Sequence, residues 1–430
     1  MALLATTADA PAATKRRTLV AVGAWATVVV VALAWGIMAV AGARVGVAAA
    51  PLVGRWTWHG GRGLLPAVVV AAAGVVFGPR VARSWSWPAL LAGSGAAAAV
   101  WTLALAASDG VARVAAPLDG RHELLQVVDR IGSPAAFLDG FVAQAPGYPI
   151  HVKGHPPGAP LVLWALDRVG LAGPGWAAVL VLLAVAVTTV AVLVAARDVA
   201  GEGAARRTAP FLALLPAAVW AGTSPDPIYG AVFAVGAALV VRSSATLDLR
   251  TAAAGGAVLA LALHLTYGAV VLLLIPAAVV VTRRAWEMVA PAVVGAASVT
   301  VLFTIAGFWW FDGLALTKEL YEAGVAGRRS AVYFAVAGNP GALALAAGPA
   351  VAVGLAVVRG HRIAVLVGVT AVAVLAADLS GMSRGEVERI WLPFVPWLAL
   401  GTAALVRPQR WLVGQAALAV VLQASLRTPW

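Results

Sequence analysis

The amino-acid sequence predicts an all-α, polytopic membrane protein, and three observations support that class. Of the 430 residues, 62% are apolar and 11% are charged, whereas soluble globular chains are nearer half apolar and a quarter charged. The mean hydropathy is +0.93. The apolar residues form runs close to the roughly 20 residues that an α-helix needs to cross a bilayer core. We expect about 13 transmembrane helices on this measure, with a folded first large extracytoplasmic loop.

The charge pattern and the missing cysteines narrow the class further. The net charge is +12, from 30 Lys and Arg against 18 Asp and Glu. The basic residues lie in short clusters between apolar runs, which is typical of membrane-protein loops and not of a nucleic-acid-binding surface. The chain has no cysteine, which excludes disulfides, thiolate metal sites and a cysteine nucleophile.

The predicted spans follow one another along most of the chain. The first follows Lys15, Arg16 and Arg17, and its apolar run is longer than a signal-peptide core, so we expect an uncleaved anchor. The stretch of small residues at 47–50 is the one feature that would suit cleavage of this segment as a signal peptide. The spans cover residues 18–42, 64–79, 86–107, 176–196, 208–223, 228–241, 251–266, 268–282, 286–309, 340–358, 363–378, 390–406 and 411–426.

The short apolar segment 156–171 decides the topology, because its crossing would invert everything after it. If it stays on the outer face as a juxtamembrane or half-inserted helix, eleven of the later basic residues face the cytoplasm and six face outside. Positive-inside bias favours this arrangement. The N-terminus is then cytoplasmic, the C-terminus is outside, and the protein is a multi-pass protein of the plasma membrane.

Four regions result from this topology. They are a cytoplasmic N-terminal tail (1–17), three N-terminal transmembrane helices (18–107), an extracytoplasmic loop with juxtamembrane helices (108–175) and a transmembrane helical bundle (176–430). Within the long loops, residues 119–128 have a helical pattern, Ser133-Pro134 can start a short helix, and 317–325 is typical of an amphipathic surface helix.

Most polar residues that do not serve as obvious membrane anchors fall on the predicted outer face. The first loop opens with Asp119, Arg121 and Glu123, and it closes with a second polar group. That second group consists of Tyr148, His151, Lys153 and His155. Loop hydrogen bonding by the two histidines and packing by Tyr148 are the simpler interpretations. The tryptophans near the outer helix ends suit an interfacial aromatic belt.

Two further charged residues lie where a predicted span begins. Asp226, in Ser224-Pro225-Asp226, sits at the membrane boundary, where a carboxylate is costly unless it faces water or a partner; a simple loop-capping role is the alternative. Arg389 opens the span at 390–406, where a guanidinium can bind a phosphate through two parallel hydrogen bonds. Anchoring to lipid headgroups, or an ion pair with Glu386 or Asp378, would also explain it.

In this order, these motifs resemble the GT-C superfamily of integral-membrane glycosyltransferases, the branch related to protein O-mannosyltransferases and bacterial lipid-sugar transferases. The resemblance covers about residues 86–426. The segment from Asp119 to Glu123 is similar to the acidic opening of that family's first loop, and Gly154-His155-Pro156-Pro157 is similar to its close. Ser224-Pro225-Asp226 is similar to the family's second acidic residue, which follows a basic cytoplasmic turn. Arg389-Ile390-Trp391-Leu392-Pro393 is similar to a motif near the family's C-terminus, an Arg followed by an aromatic residue, Leu and Pro at a helix start.

The resemblance implies a donor, a set of roles and a location for the chemistry. The donor would be a polyprenyl-phosphate sugar and the acceptor an envelope glycan, lipid or protein, with membrane lipids around the enzyme. Asp119 would be the general base, and Arg389 with Lys153 or His155 would stabilise the departing phosphate. Asp226 would orient the acceptor, or hold a divalent metal ion with His155. The remaining loop residues, Arg121, Glu123, Tyr148 and His151, would bind substrate.

The chain departs from the family pattern at two points, and other functions compete. Two extra spans precede the first large loop, and Asp119-Gly120 replaces an acidic pair, so Glu123, Asp129 or Asp139 could be the partner acid. High Ala, Gly, Val and Arg content is typical of GC-rich actinobacteria, where mannose and arabinose donors both occur. A lipid or sugar transporter or flippase is the main alternative, although no two matching halves with broken helices are visible. A non-catalytic scaffold for envelope assembly is another.

Overall fold

The computed structural model describes residues 9–41 and 45–429, with side chains over 14–38 and 45–429. Helices make up most of these residues, and the strands among them are one short antiparallel pair. The protein is therefore an all-α membrane protein. Within the described part, six segments are long and apolar enough to span a membrane: Thr14–Met38, Arg62–Ser84, Trp87–Asp109, Pro174–Ala200, Asp226–Thr246 and Trp286–Ile305.

Shorter helices account for much of the remaining predicted membrane region. A bent pair, Ala331–Ala347 with Pro349–Val357, would count as a seventh span if it crosses as one unit. Four apolar helices are shorter: Leu249–Leu263, Ala269–Arg283, Ala364–Leu379 and Val395–Ala404. The structure thus supports the predicted class, an all-α membrane protein, and the count of 13 spans stays a prediction.

The N-terminal region contains three long helices and the strand pair. Helix α1 already begins at Asp9, within the tail predicted over 1–17; residues 1–8 of that tail and residue 42 of the first predicted span lie outside the described residues. Strand β1 pairs with β2 near the chain's end, which ties the loop after α1 to the last helix. The elements are α1 Asp9–Ala41, β1 Arg55–Trp56, α2 Leu65–Ser84, α3 Trp87–Ala106 and, at the end, β2 Leu426–Arg427.

The first large loop is folded from short helices. Its expected helix at Ser133-Pro134 is confirmed, because the Ser133 hydroxyl accepts a hydrogen bond from the Ala136 amide and caps the helix. The predicted helix over 119–128 appears later, as 3-10 turns at Leu124–Arg130. The α-helices here are α4 Ala112–Ala115, α5 Pro134–Gln144, α6 Ile150–Lys153 and α7 Gly158–Arg168. Helix α7 has 11 residues, which rise about 16 Å and fall short of a bilayer core about 30 Å thick.

The central helices include one clear departure from the predicted spans. The span predicted at 208–223 is broken, because α9 ends at Ala213 and the chain turns before Pro216, whose ring and missing amide do not suit a helix interior. The elements are α8 Pro174–Ala200, α9 Glu202–Ala213, α10 Ala218–Ala221, α11 Asp226–Thr246, α12 Leu249–Leu263, α13 Ala269–Leu272, α14 Leu274–Arg283 and α15 Val289–Ile305.

The C-terminal third starts with an interfacial helix and contains a broken one. The amphipathic helix predicted over 317–325 is part of α16, and the span predicted at 340–358 bends sharply at Gly348. The elements are α16 Trp310–Ala323, α17 Ala331–Tyr333, a π-helical turn Phe334–Gly338, α18 Asn339–Ala347, α19 Pro349–Val357, α20 Ala364–Leu379, α21 Val387–Ile390, α22 Val395–Ala399 and α23 Pro408–Ser425.

The break at Gly348 is stabilised by one buried side chain. Gln415 from α23 is 0% exposed; its Oε1 accepts from the Ala350 amide at 3.1 Å and its Nε2 donates to the Ala347 carbonyl. A buried break in an apolar helix needs partners of this kind, because unpaired backbone groups are costly away from water. Gly348 has a φ of +82°, which a side chain would disfavour, and a Cβ there would collide with the Gln415 amide.

These elements bring the first loop against one end of the bundle, which we call the site end. The α11 N-terminus, the turn before α21, α16 and the loop helix α6 all meet there around one cavity. The turns at 248–250, after α11, and at 360–362, before α20, are at the other end, which we call the far end.

Candidate functional site

The carboxylate of Asp226 lies at the N-terminus of α11, at the site end. The residue is 3% exposed, and the positive end of a helix dipole favours a negative side chain in this position. Its Oδ2 lies 3.6 Å from the Nε of Arg389. This ion pair joins α11 to α21, two segments that are 163 residues apart in sequence (389 minus 226).

Arg389 is the central cation of the site. It is 3% exposed, and its Nη2 lies 3.6 Å from Glu386 Oε2 and 3.2 Å from His151 Nε2. A tight turn places it, because Gly385 and Glu386 both adopt a positive φ before the four-residue helix α21. The side chain therefore faces the first loop and does not point toward lipid.

The first loop contributes a buried hydrogen-bonded pair, Glu123 and His151. Glu123 is 5% exposed, and its Oε1 lies 2.7 Å from His151 Nδ1. The His151 amide also donates to the carbonyl of His122 at 3.0 Å. The opening and the close of the loop are thereby joined, and Glu123 orients the imidazole that touches Arg389.

Burial and the positive charge of Arg389 set the protonation of this loop pair. Burial raises the pKa of Glu123 to about 7, although Arg389 opposes the rise. Burial and Arg389 together lower the pKa of His151 to about 3, and they lower the pKa of His155 to about 3 in the same way. Both imidazoles are therefore neutral at neutral pH, and Arg389 carries the permanent positive charge.

These groups line a cavity of about 380 Å³ between the loop and the bundle. Its polar wall contains His151, Lys153, His155, Asp226, Tyr229, Thr266, Tyr267, Thr317, Tyr321, Arg329, Ser383, Arg384, Glu386 and Arg389. Its apolar wall includes Phe233, Val270, Leu272, Trp310 and Phe394. A volume of this size falls in the range of ligand pockets, about 300–1,000 Å³.

Several groups on the polar wall have hydrogen-bonding capacity that the described residues do not use. The Tyr229 hydroxyl and His155 Nδ1 are buried and have no hydrogen-bond partner among the described residues, and Asp226 Oδ2 has only its 3.6 Å ion-pair contact with Arg389. The Tyr229 and His155 rings are in contact, with centroids 4.9 Å apart. Buried polar atoms are nearly always paired in native proteins, so the unused atoms of Tyr229 and His155 favour a polar ligand in the cavity.

A second cationic group in the cavity was missed by the sequence reasoning. Arg329 contacts Glu386 at 3.2 Å and donates to the carbonyl of Arg384 at 2.8 Å. The Arg384 amide donates to the Tyr321 hydroxyl. The sequence did contain a signal for these residues, because both arginines fall on the predicted outer face, where positive-inside bias makes basic residues less frequent.

Four of the predicted site residues lie outside the cavity wall: Glu123, which contacts His151, and three that point elsewhere. Asp119 is exposed, and its Oδ1 accepts from the Gln126 side chain at 3.1 Å. Arg121 is exposed and donates to the adjacent His122 ring at 3.0 Å. Tyr148 packs on the rings of Phe137 and Phe141, and its hydroxyl bonds Gln144.

Four other predicted site residues line the cavity together with Arg389. They are Asp226, His151, Lys153 and His155, whereas Glu123 reaches the site through its bond to His151. The site thus includes Asp226 and Arg389, the charged residues at the start of predicted spans. It also includes the polar residues at the end of the first loop.

The described residues do not fit a resident metal ion. Among them, no group of three or more His, Asp or Glu side chains is placed to hold one. The carboxylate that the sequence suggested as a ligand, Asp226, already faces the guanidinium of Arg389. We therefore derive no chemical step through a metal.

Fold and site together define an all-α membrane protein with a polar, partly cationic cavity at one end of its helical bundle. Comparison of the chain with models of known protein families finds no match, and a search of curated proteins finds no significant match.

Proposed function

We propose that the protein is a membrane glycosyltransferase that moves a sugar from a polyprenyl-phosphate donor to an envelope acceptor at the extracytoplasmic face. One observation supports this best: a buried arginine and a buried carboxylate, Arg389 and Asp226, face each other on the wall of a cavity with one polar and one apolar side. A lipid-linked sugar phosphate has the same two-sided character.

Arg389 is the phosphate-binding group in this proposal. As the bond between the anomeric carbon and the phosphate oxygen breaks, the electron pair stays with the phosphate. A fixed cation beside that oxygen stabilises the transition state more than the ground state. Lys153 and Arg384, on the same wall, add positive charge for the rest of the headgroup.

Asp226 is the general base in this proposal. It removes the proton of the acceptor hydroxyl as that oxygen attacks the anomeric carbon, and the polyprenyl phosphate leaves. Asp119, which the sequence resemblance suggested for this role, is exposed and absent from the cavity wall. Phosphate binding would also draw Arg389 away from Asp226, which frees the carboxylate to accept a proton only when the donor is present.

The apolar wall accommodates the lipid side of the donor. Trp310 from α16 and residues 270–272 from α13 line the cavity beside the polar groups. The Trp310 indole donates to the Leu263 carbonyl at 2.9 Å, which fixes its ring at this wall. An isoprenoid tail can lie along this side while its phosphate reaches Arg389.

A transfer assay with purified protein tests this function. The protein is incubated with radiolabelled polyprenyl-phosphate hexoses and pentoses and with an envelope fraction as acceptor. We expect transfer by the wild type, and a loss of about 100-fold or more in Asp226→Asn and Arg389→Gln, the range that a lost base or charge-stabilising group gives. Asp119→Asn is the matched control and should keep its activity.

Two outcomes would contradict the proposal in different ways. A loss of transfer in Asp119→Asn with normal turnover in Asp226→Asn would move the base to Asp119. Exchange of the labelled lipid between the leaflets of proteoliposomes, with no sugar transfer to any acceptor, would replace the transferase with a flippase.

A further inference from the structure

A large groove lies between the N-terminal helix and the bundle, away from the candidate site. It has a volume of about 970 Å³ and runs between α1 on one side and α18 and α19 on the other. Its walls are almost entirely apolar side chains, and three arginines lie at one end: Arg16, Arg17 and Arg359. The indole of Trp25 donates to the Ala344 carbonyl at 2.8 Å and closes its floor.

The arginine end of the groove is at the far end of the bundle. The other end of α1 is held at the site end, where Tyr333 donates to the Ala32 carbonyl. Likewise α18 starts at the site end, where the Asn339 amide donates to Asp378. Helices α1 and α18 therefore both reach the site end, and the arginines are at the opposite end of the groove.

The length of the groove fits one leaflet of a bilayer. On α1 it extends from Arg16 to Val28, and 12 residues of α-helix rise about 18 Å. Half of a bilayer core is about 15 Å thick. A lipid with its headgroup at the arginines would therefore reach the middle of the membrane with its acyl chains. A polyprenyl chain of many isoprene units is longer than this groove.

The three arginines have no acidic partner among the described residues. Some other arginines at this end do have one: Arg197 and Arg206 pair with Glu202, and Arg242 pairs with Asp198. Basic pockets between membrane helices bind anionic headgroups, and each Lys or Arg near an anionic leaflet contributes favourably. Among the described side chains, the positive end of this groove therefore has no acidic partner, and it complements an anionic headgroup.

We propose that this groove binds one anionic glycerophospholipid from the leaflet opposite the candidate site. Its phosphate lies among Arg16, Arg17 and Arg359, and its acyl chains lie along α1, α18 and α19. The lipid fills the space between α1 and the bent pair α18–α19, and it joins the N-terminal helix to the bundle. This proposal does not depend on the transfer reaction.

Native mass spectrometry of the full-length protein in detergent tests the proposal. Dioleoyl phosphatidylglycerol, dioleoyl phosphatidylcholine, a polyprenyl phosphate and inorganic phosphate are each titrated against the protein. We expect one tightly bound phosphatidylglycerol, at least 10-fold weaker binding of phosphatidylcholine, which has the same chains, and no retained inorganic phosphate.

Two variants assign the binding to the groove. The triple change Arg16→Gln, Arg17→Gln and Arg359→Gln should weaken phosphatidylglycerol binding by about 100-fold, since each charge near the headgroup is worth about five-fold. A matched control removes three exposed arginines that do not line the groove, Arg207, Arg250 and Arg410, and should bind as the wild type does.

A filled groove gives a second test that leaves the arginines intact. Ala24→Trp places a large side chain on the groove wall and should also weaken phosphatidylglycerol binding by at least 10-fold. Equal loss in the groove and control triple variants, unchanged binding in Ala24→Trp, or preference for polyprenyl phosphate over phosphatidylglycerol would each overturn the proposal.

Discussion

The pairing of Arg389 with Asp226 leads to a quantitative prediction about stability. At the observed 3.6 Å and an effective dielectric constant of about 20, two unit charges attract by about 5 kcal/mol. Both side chains are 4% exposed, so removing one charge leaves the other buried. Breaking a buried pair in this way costs about 3–5 kcal/mol, and we expect that cost for Arg389→Gln.

The two single variants should differ, and the double variant should be rescued. In Asp226→Asn the arginine still has Glu386 at 3.6 Å, so we expect a smaller cost of about 1–3 kcal/mol. In the double variant neither buried charge remains. Its free energy of unfolding should therefore be no lower than that of Arg389→Gln alone. The sum of the two single-variant costs then exceeds the double-variant cost by about 2 kcal/mol, which is a coupling energy within the range for residues in contact.

Unfolding in mixed micelles of dodecyl maltoside and sodium dodecyl sulfate, followed by tryptophan fluorescence, measures all four proteins of this cycle. A cycle on the more exposed pair Glu202 and Arg206, neighbours on one helix turn, is the control and should show a coupling of about 0.3–0.5 kcal/mol. If the costs of the Arg389 and Asp226 variants add within about 0.5 kcal/mol, the two charges do not depend on each other and our reading of the site is refuted.

Three further predictions test other parts of the structure. Burial raises the pKa of Glu388 from 4.5 to about 7, so between these pH values the native state holds a proton that the unfolded chain has released. As pH rises from 5 to 8, the unfolding free energy of the wild type should therefore fall by up to about 3 kcal/mol relative to that of Glu388→Gln. A difference between the two proteins that does not change with pH would contradict this. Gln415→Leu leaves two backbone groups at the helix break unpaired and should cost about 2–4 kcal/mol in the same unfolding assay, whereas the exposed control Gln409→Leu should cost under about 0.5 kcal/mol. In the cysteine-free chain, Arg121→Cys should react with an impermeant maleimide on intact cells and Arg207→Cys only after lysis; the reverse result would invert the topology.

The sequence was sufficient to predict the features that depend on local pattern. Long apolar runs gave continuous helices where nothing interrupts them, as in α8, and the Ser133-Pro134 signal gave a capped helix at that position. The length of an apolar run failed to predict helix boundaries where the chain breaks inside such a run. Pro216 ends one predicted span early, and the bend at Gly348 requires Gln415, a residue 67 positions away (415 minus 348). A hydropathy window cannot detect such a distant partner.

The candidate site was predictable in its residue types and only partly in its geometry. Arg389 and Asp226 stood out because a charge that opens an apolar span needs a partner, and they partner each other. Asp119 stood out only through its place in a motif, and motif position does not fix which way a loop carboxylate faces. Asp119 and Glu123 are four positions apart, but the Asp119 side chain is exposed and the Glu123 side chain is buried against His151.

Two buried polar groups in this protein show how a structural cluster differs from a candidate binding site. At the helix break, the Gln415 amide uses both its oxygen and its nitrogen on backbone partners, so the cluster is complete and has nothing to offer a ligand. At the cavity, Tyr229 and His155 each keep a buried atom without a hydrogen-bond partner among the described residues. Leaving such atoms unpaired costs about 1–3 kcal/mol each. A fold that satisfies its polar groups at Gln415 and leaves hydrogen-bonding atoms of Tyr229 and His155 unused is stabilised at the first place and is open to a polar ligand at the second.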